Sequence, residues 1–280
     1  MVAKMNAGVE DVPLGGLPIA DPTLLKNAPL EVAIVEVRFA GEEEIPSEVA
    51  TAVRDALTEA AGVQFPLIKP TQQRMVQIEL GPDGSQLSNK GGLSGWQILA
   101  ADSSFVVTVM PDNLIMQRTN YSRWSDSIGL PMSAVLEVLA QTLKPSLRTR
   151  VGLRYIDRFR DPAALEPSAW RGRLRAEILG PLESEIFGKL VRGAQQQLEL
   201  NIDDSHRSIL RHGFTNEEDQ SIGYLLDIDV FSELSIPFDP DNIVANAVQL
   251  NRTALSLFQS CLNTDYLRFL RGKETDDSAQ

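Results

Sequence analysis

The sequence predicts an α+β fold of two similar halves, each an antiparallel sheet packed on helices. Three observations predict it. Short runs rich in Val and Ile are closely spaced and separated by Gly, Pro, Asn and Asp, which is the spacing of antiparallel strands. Stretches with apolar residues at helical period flank these runs. The order of elements then occurs twice: strand, helix, three to four strands, helix.

Residues 1–24 read as a leader, loose or draped over the body, broken by Gly and Pro. The first half, 25–147, opens with the strand "LEVAIVEVRF" between Pro29 and Gly41. In "IPSEVATAVRDALTEAAG", Val49, Val53, Ala56 and Leu57 share one helical face, Ser47 is the expected N-cap and Gly62 the stop. "RMVQIEL" alternates as a strand, "NKGG" reads as a turn and "GWQILA" as the next strand. "FVVTVM" and "LIMQRTNY" are joined by "PDN", a hairpin signal. A helix with Val135, Leu136, Leu139 and Leu143 closes the half before Pro145.

The second half, 148–271, opens with "RVGLRYIDRF" and a helical region around "ESEIFGKLVRG". The strands "QQQLELNI", "HRSILRHGF" and "YLLDIDVF" follow. A long helix from about Asp241 carries a stripe of Val244, Val248, Leu255, Phe258 and Leu262, interrupted by Asn251 and Arg252. Residues 272–280 read as a disordered polar tail. The order β-α-β-β-β-β-α resembles helix-grip and TATA-binding-protein-like arrangements. A single unduplicated α+β domain is the alternative, because residue identity between the halves is slight.

The chain has 280 residues, 43% of them hydrophobic, enough for a large core. Its single cysteine, Cys261, forms no intrachain disulfide, and the N-terminus lacks a signal-peptide core. No run has the eighteen or so apolar residues of a membrane span. These features predict a cytoplasmic protein with no membrane contact. A formal net charge of −12 argues against non-specific nucleic-acid binding.

Against that negative charge, five arginines crowd into one strand-like stretch: Arg148, Arg150, Arg154, Arg158 and Arg160. Alternation sets them opposite Val151, Leu153, Tyr155 and Phe159. Two outcomes follow. The arginines pair with carboxylates such as Glu36, Glu79, Asp227 and Asp229 across the sheet. Otherwise part of the ladder stays open and binds an anion, because guanidinium forks suit phosphate and carboxylate. Asp227 and Asp229 share a strand face and form a candidate Mg²⁺ site, with solvent-face pairing to arginine as the alternative. Tyr121 and Trp124 sit between a strand and a helix, as an interface or ligand platform or as a staple joining the two. His206 and His212 have no metal-ligand company and read as surface or turn residues. Cys261 reads as a small core residue. "GGLSG" (Gly91 to Gly95) lacks a P-loop lysine and reads as a loop.

"KNAPLEVAIVEVRF", "NLIMQRTNYSRW", "RVGLRYIDRF", "YLLDIDVF" and "LFQSCLNTDYLRFL", in that order, resemble a sporadically distributed family of uncharacterised prokaryotic proteins of about 250–280 residues. The resemblance covers roughly residues 26–270. Its most specific parts are a central GLRYI-N/D-R motif and a closing F…TD…LR. The chain departs from it at Asp157, where Asn is expected, and at "LNRTALSLF", where a Leu-His pair is expected before the phenylalanine. The family's scatter implies phage-defence, toxin–antitoxin-like or prophage settings. The expectation is therefore a non-catalytic cytoplasmic binding or regulatory protein with a protein partner, a homodimer through a sheet edge being one form. The alternative is anion binding, of a nucleotide or phosphometabolite, or Mg-dependent phosphoryl transfer on the arginine strand. No cofactor is expected under the first reading.

Overall fold

The computed structural model describes residues 12–41, 44–72, 75–81, 84–90, 94–186 and 188–272, with 75–81 and 84–90 described by backbone alone. The protein is of mixed α+β build, with antiparallel sheet and, among the described residues, five α-helices. It divides into two compact units. The first comprises Val32–Gly152 and Ser232–Asn246; the second comprises Met1–Glu31, Leu153–Phe231 and Ala247–Gln280.

Within the first unit the chain runs β1 (Leu30–Phe39), α1 (Ser47–Ala61), β2 (Leu67–Gln72), β3 (Met75–Gly81), β4 (Gly84–Lys90), β5 (Ser94–Leu99), β6 (Phe105–Met110), β7 (Asn113–Arg118) and α2 (Leu130–Thr142). The strand order is β2-β5-β6-β7-β1, with antiparallel neighbours, and β3 and β4 form a separate two-stranded hairpin. Alternation in β1 buries Ala33, Val35, Val37 and Phe39 completely or nearly so. Ile98, Val107, Val109, Leu114 and Met116 join them in the core. The helices contribute Val49, Val53 and Leu57 from α1 and Met132, Val135, Leu136 and Leu139 from α2, and the two helices pack on each other. Each such side chain stabilises by about 1.5–3 kcal/mol. Gly62, at φ 64°, adopts the left-handed turn that ends α1.

β8 (Leu147–Phe159) begins in the first unit, where β12 (Ile236–Pro237) pairs with its first residues. From Leu153 onward β8 belongs to the second unit, with α3 (Ala176–Leu179), β9 (Gln195–Asn201), β10 (His206–Asn216), β11 (Ile222–Ser232), α4 (Pro240–Ser260, from Ala247 onward) and α5 (Thr264–Leu270). Strand order here is β8-β11-β10-β9. Leu153, Tyr155, Phe159, Leu210, Tyr224, Leu226, Ile228 and Val230 make the buried sheet face. Leu250, Ala254, Leu257, Phe258, Leu267 and Leu270 from α4 and α5 complete the core. Phe159 stacks on Phe258 at 6.2 Å and meets Trp170 edge-on, whose indole N–H donates to Ile222 O at 2.7 Å.

Several local expectations are corrected. Ser47 is the first helical residue of α1, with Pro46 in the cap position and no side-chain cap bond. β2 and β4 occupy stretches where the sequence signals no strand. Asn89 and Lys90 of the expected "NKGG" turn lie in β4, while Gly91 and Gly92, with most of "GGLSG", fall outside the described residues. In place of the helix expected around "ESEIFGKLVRG", the described residues form two short helical turns, Gly180–Glu183 and Gly188–Leu190, and at Gly188 the backbone packs so closely that a Cβ would lie 2.3 Å from Leu182 O. On α4 Ile243, Ala247, Leu250 and Ala254 are fully buried, while Val244, Val248 and Leu255 of the expected stripe are half-buried; Phe258, and Leu262 just past the helix, are buried as expected.

The described part of the leader explains why α4 is buried on a second side. Thr253 Oγ1 accepts from Leu14 N at 3.1 Å, Ser256 Oγ donates to Pro18 O at 2.6 Å, and Gln259 exchanges hydrogen bonds with Asp21. Residues 12–28 thus drape along α4 to α5, where Asn27 N donates to Leu270 O. Residues 1–11 and all but the first residue of the expected tail lie outside the described residues. Among the described residues no helix is long and apolar enough to cross a membrane.

Candidate functional site

β8 is a strand through Phe159, and its period of two sets the sides. In the second unit Leu153, Tyr155 and Phe159 face the core, while Arg154 and Arg158 lie half-buried on the other face. Arg154 is held by both oxygens of Asp227 on β11, each at 2.7 Å, and these bonds raise the guanidinium pKa despite partial burial. Arg211 of β10 approaches the same carboxylate at 3.4 Å, and Asp229 adds its field at Arg154. Arg158 donates to Glu217 Oε1 at 3.0 Å. Arg160, just past the strand, donates to Glu217 Oε2 at 3.2 Å and bonds Glu31. Burial pushes the Glu217 carboxyl up, and hydrogen bonds from Thr215 and Arg158 outweigh it, leaving the group below its usual value. Gly223 makes this reach possible: a Cβ there would lie 2.3 Å from Glu217 Oε1.

In the first unit Arg150 pairs with Glu36 at 2.9 Å and lies 3.9 Å from Glu233. Arg148 differs. It is 3% exposed and meets neutral partners only, Ser232 Oγ at 3.4 Å and Asn242 Oδ1 at 3.3 Å, while its Nε has none. Burial lowers its pKa. Four of the five arginines therefore sit on carboxylates. Glu36 and Asp227 are among the partners the sequence named; Glu217, Glu31 and Glu233 are not, and the side chain of Glu79 lies outside the described residues.

The open face of the second unit holds a shallow concavity of ≈ 330 Å³. Gln195, Gln197, Arg211, Thr215, Leu225 and Asp227 line it. Arg211 Nε donates to Gln197 Oε1 at 3.0 Å, so the wall is itself hydrogen-bonded. An incoming anion would compete with Asp227, whose side chain is 5% exposed, for Arg154, whose side chain is 40% exposed. Both Asp227 oxygens are engaged by Arg154, so a cation at Asp227 and Asp229 would have to displace a bidentate pair. Among the described residues no group of three or more His, Cys, Asp or Glu is arranged for a metal ion.

Tyr121 and Trp124 are half-buried in the link from β7 to α2. Trp124 precedes a single wide turn, Ser125–Gly129, and a Cβ at Gly129 would lie 3.2 Å from its indole nitrogen. This places Trp124 on the helix start.

The core side of the second unit holds groups that sequence reasoning missed. Asp157 lies between Tyr155 and Phe159 on the buried face, 4% exposed, with no hydrogen-bond donor among the described residues. Burial, and then the charge of Asp227, raise its pKa well above the carboxylate range. His212 is buried, contrary to the expected surface position, and its Nδ1 lies 2.7 Å from Tyr224 Oη. Its Nε2 has no partner, and burial lowers its pKa. Beside them Cys261 is buried and free, the core residue that the sequence predicts, its thiol pushed up to about 12 by burial and then by Asp157. Asn251, which interrupts the apolar stripe of α4, accepts from Tyr155 Oη at 2.7 Å. The signal for Asp157 and His212 was available, since strand alternation sets them beside Tyr155 and Leu210.

No family model matches the chain, and no curated protein matches it. Among solved structures the chain is similar to the S. pombe Pct1 RNA triphosphatase at 10% identity, over 89% of this chain and 87% of that one, with a TM-score of 0.11. A second structure, of the same triphosphatase with the Spt5 CTD, covers 89% and 88% at 10% identity, also with a TM-score of 0.11. Likenesses at that TM-score carry no argument about fold or activity.

Proposed function

We propose that the chain is a non-catalytic binding or regulatory protein that works by contact with another protein, and that β9 is its contact element. One observation carries this reading. β9 ends the strand order of the second unit, and its sequence, "QQQLELN", has one charge, no proline and a 40% exposed Leu198. Such an end strand offers free backbone donors and acceptors to an added strand. Phe214 N donates to Ala194 O and Ile202 N to His206 O, so the even-numbered residues of β9 face β10. The N–H and C=O groups of Gln195, Gln197, Glu199 and Asn201 therefore point outward. The internal pairing of the arginines supports the same reading, because it assigns them a structural task.

A cytoplasmic setting, in phage defence or a toxin–antitoxin-like or prophage module, belongs to this proposal on the family resemblance alone. The proposal includes duplication of the two units, which the strand orders support: β1 and β8 each neighbour the last long strand of their unit, β7 and β11. The test is affinity purification from the native host with the wild type and Glu199→Pro. Proline at Glu199 removes an outward N–H and leaves the β10 ladder whole. A partner held by the wild type and lost with Glu199→Pro is expected; equal capture by both sinks the assignment to β9.

A second reading has its own observation, the concavity walled by Arg211 beside the half-exposed Arg154. It is a site for a nucleotide or phosphometabolite, with Mg²⁺ at Asp227 and Asp229. Thermal shifts with nucleotides, with and without Mg²⁺, test it. A ligand at a hundredfold excess over Kd would stabilise by about 2.7 kcal/mol.

A further inference from the structure

We infer that the strand added to β9 is β9 of a second copy of this chain, paired antiparallel about Leu198. The inference rests on the reading of β9 as the contact element and names its occupant. The outward backbone groups belong to odd-numbered residues, as the bonds of Ala194 and Ile202 to β10 require. A two-fold axis through Leu198 sets Gln195 opposite Asn201 of the second copy and Gln197 opposite its Glu199. Every hydrogen-bonding pair then joins two odd-numbered residues, and about eight backbone bonds form. Any register joining odd to even residues would leave those groups unmet.

Side chains agree with this register. Gln197 and Glu199 share the polar face, and Gln197 Nε2 already donates to Glu199 Oε1 at 3.4 Å within one strand. Across the axis each Glu199 carboxylate meets an amide donor, and the two carboxylates are not placed opposite each other. That avoids the like-charge penalty of a cross-strand pair. On the other face the two Leu198 side chains, exposed at 40% in the single chain, meet at the axis. Residues directly opposite in such a non-hydrogen-bonded pair approach closely. A polar strand with one charge is thus complementary to itself, whereas a heterologous strand needs its own matched pattern.

A seven-residue ladder buries less than the roughly 1,200 Å² of a standard interface, so association is expected at micromolar concentration or above. Sedimentation of the wild type across about 5–500 μM is expected to show a monomer–dimer equilibrium that Glu199→Pro weakens tenfold or more. Register is read by cysteines placed in Cys261→Ser protein. Leu198→Cys puts two thiols at a Cα separation of about 4.5 Å, within disulfide range, and oxidises to a covalent dimer. Leu200→Cys puts them about 13 Å apart and does not. A wild type that stays monomeric throughout overturns the second copy as occupant. If a host protein is still captured and lost with Glu199→Pro, the contact role of β9 stands while the dimer falls. Equal cross-linking of both cysteine variants overturns the register, and with it the self-complementarity argument.

Discussion

β2 and β9 each end the strand order of their unit, yet they are edged differently. β2 reads "LIKPTQ", with Lys69 and Pro70 in adjacent positions. Proline withholds a donor and lysine resists burial, two devices that protect an edge from further pairing. β9 reads "QQQLELN" and carries neither. The interiors differ as well. In the first unit the titratable group among the most buried described side chains is an arginine, Arg148, whose charge does not change with pH. The second unit buries Asp157, His212, Tyr224 and Cys261. The unit with the unprotected edge thus also carries the pH-sensitive core. The contrast teaches that a similar sheet-and-helix build leaves edge chemistry and core chemistry free to vary, because neither enters the alternation that builds the sheet.

The sharpest way to break the edge comparison is to place proline at neighbouring positions of β9. Leu198→Pro removes an N–H that faces β10 and is expected to cost about 3 kcal/mol of unfolding free energy. Glu199→Pro, whose N–H faces outward, is expected to cost about 1 kcal/mol or less. Urea melts of the two variants read the difference; equal losses would show that the outward assignment of the odd residues is wrong.

The core comparison is sharpened by Asp157→Asn. The folded pKa of Asp157 is raised, so the native state holds its proton where the unfolded chain releases it. Stability is therefore lost as pH rises from the unfolded pKa toward the folded one. Asparagine removes that slope, and the variant is expected to gain about 1 kcal/mol over wild type at pH 8 and less at pH 5. Thermal melts at the two pH values check it, and a gain that is flat or falls with pH would reject the buried-acid reading.

The smallest effect belongs to β2. Lys69→Thr with Pro70→Val gives that strand a continuous apolar-polar edge. Stability should change by about 0.5 kcal/mol, while light scattering at high concentration rises above wild type. No rise would mean that Lys69 and Pro70 do not protect the edge.

Much of the frame was legible. Runs rich in Val, Ile and Leu marked β1, β6 and β11, and the alternation in "RVGLRYIDRF" set the arginines on one side of β8. β2 and β4 escaped because "LIKPTQ" and "GSQLSNK" lack β-branched alternation and form against partners already in place. Asp157 was readable from the same alternation that placed Tyr155, but a carboxyl among apolar residues invites assignment to the solvent side.

The sequence by itself determined the period and facing of each long strand and the apolar sides of the helices, because these depend on neighbours two to four residues away. Tertiary structure alone decided that Glu217 and Glu31, distant in sequence, would close on Arg160. It also decided that Asp227 would grip Arg154 and that β9 would end its sheet with its odd-numbered amides turned outward. Those outcomes depend on register between strands far apart in the chain, and a local pattern carries no record of which strand arrives beside which.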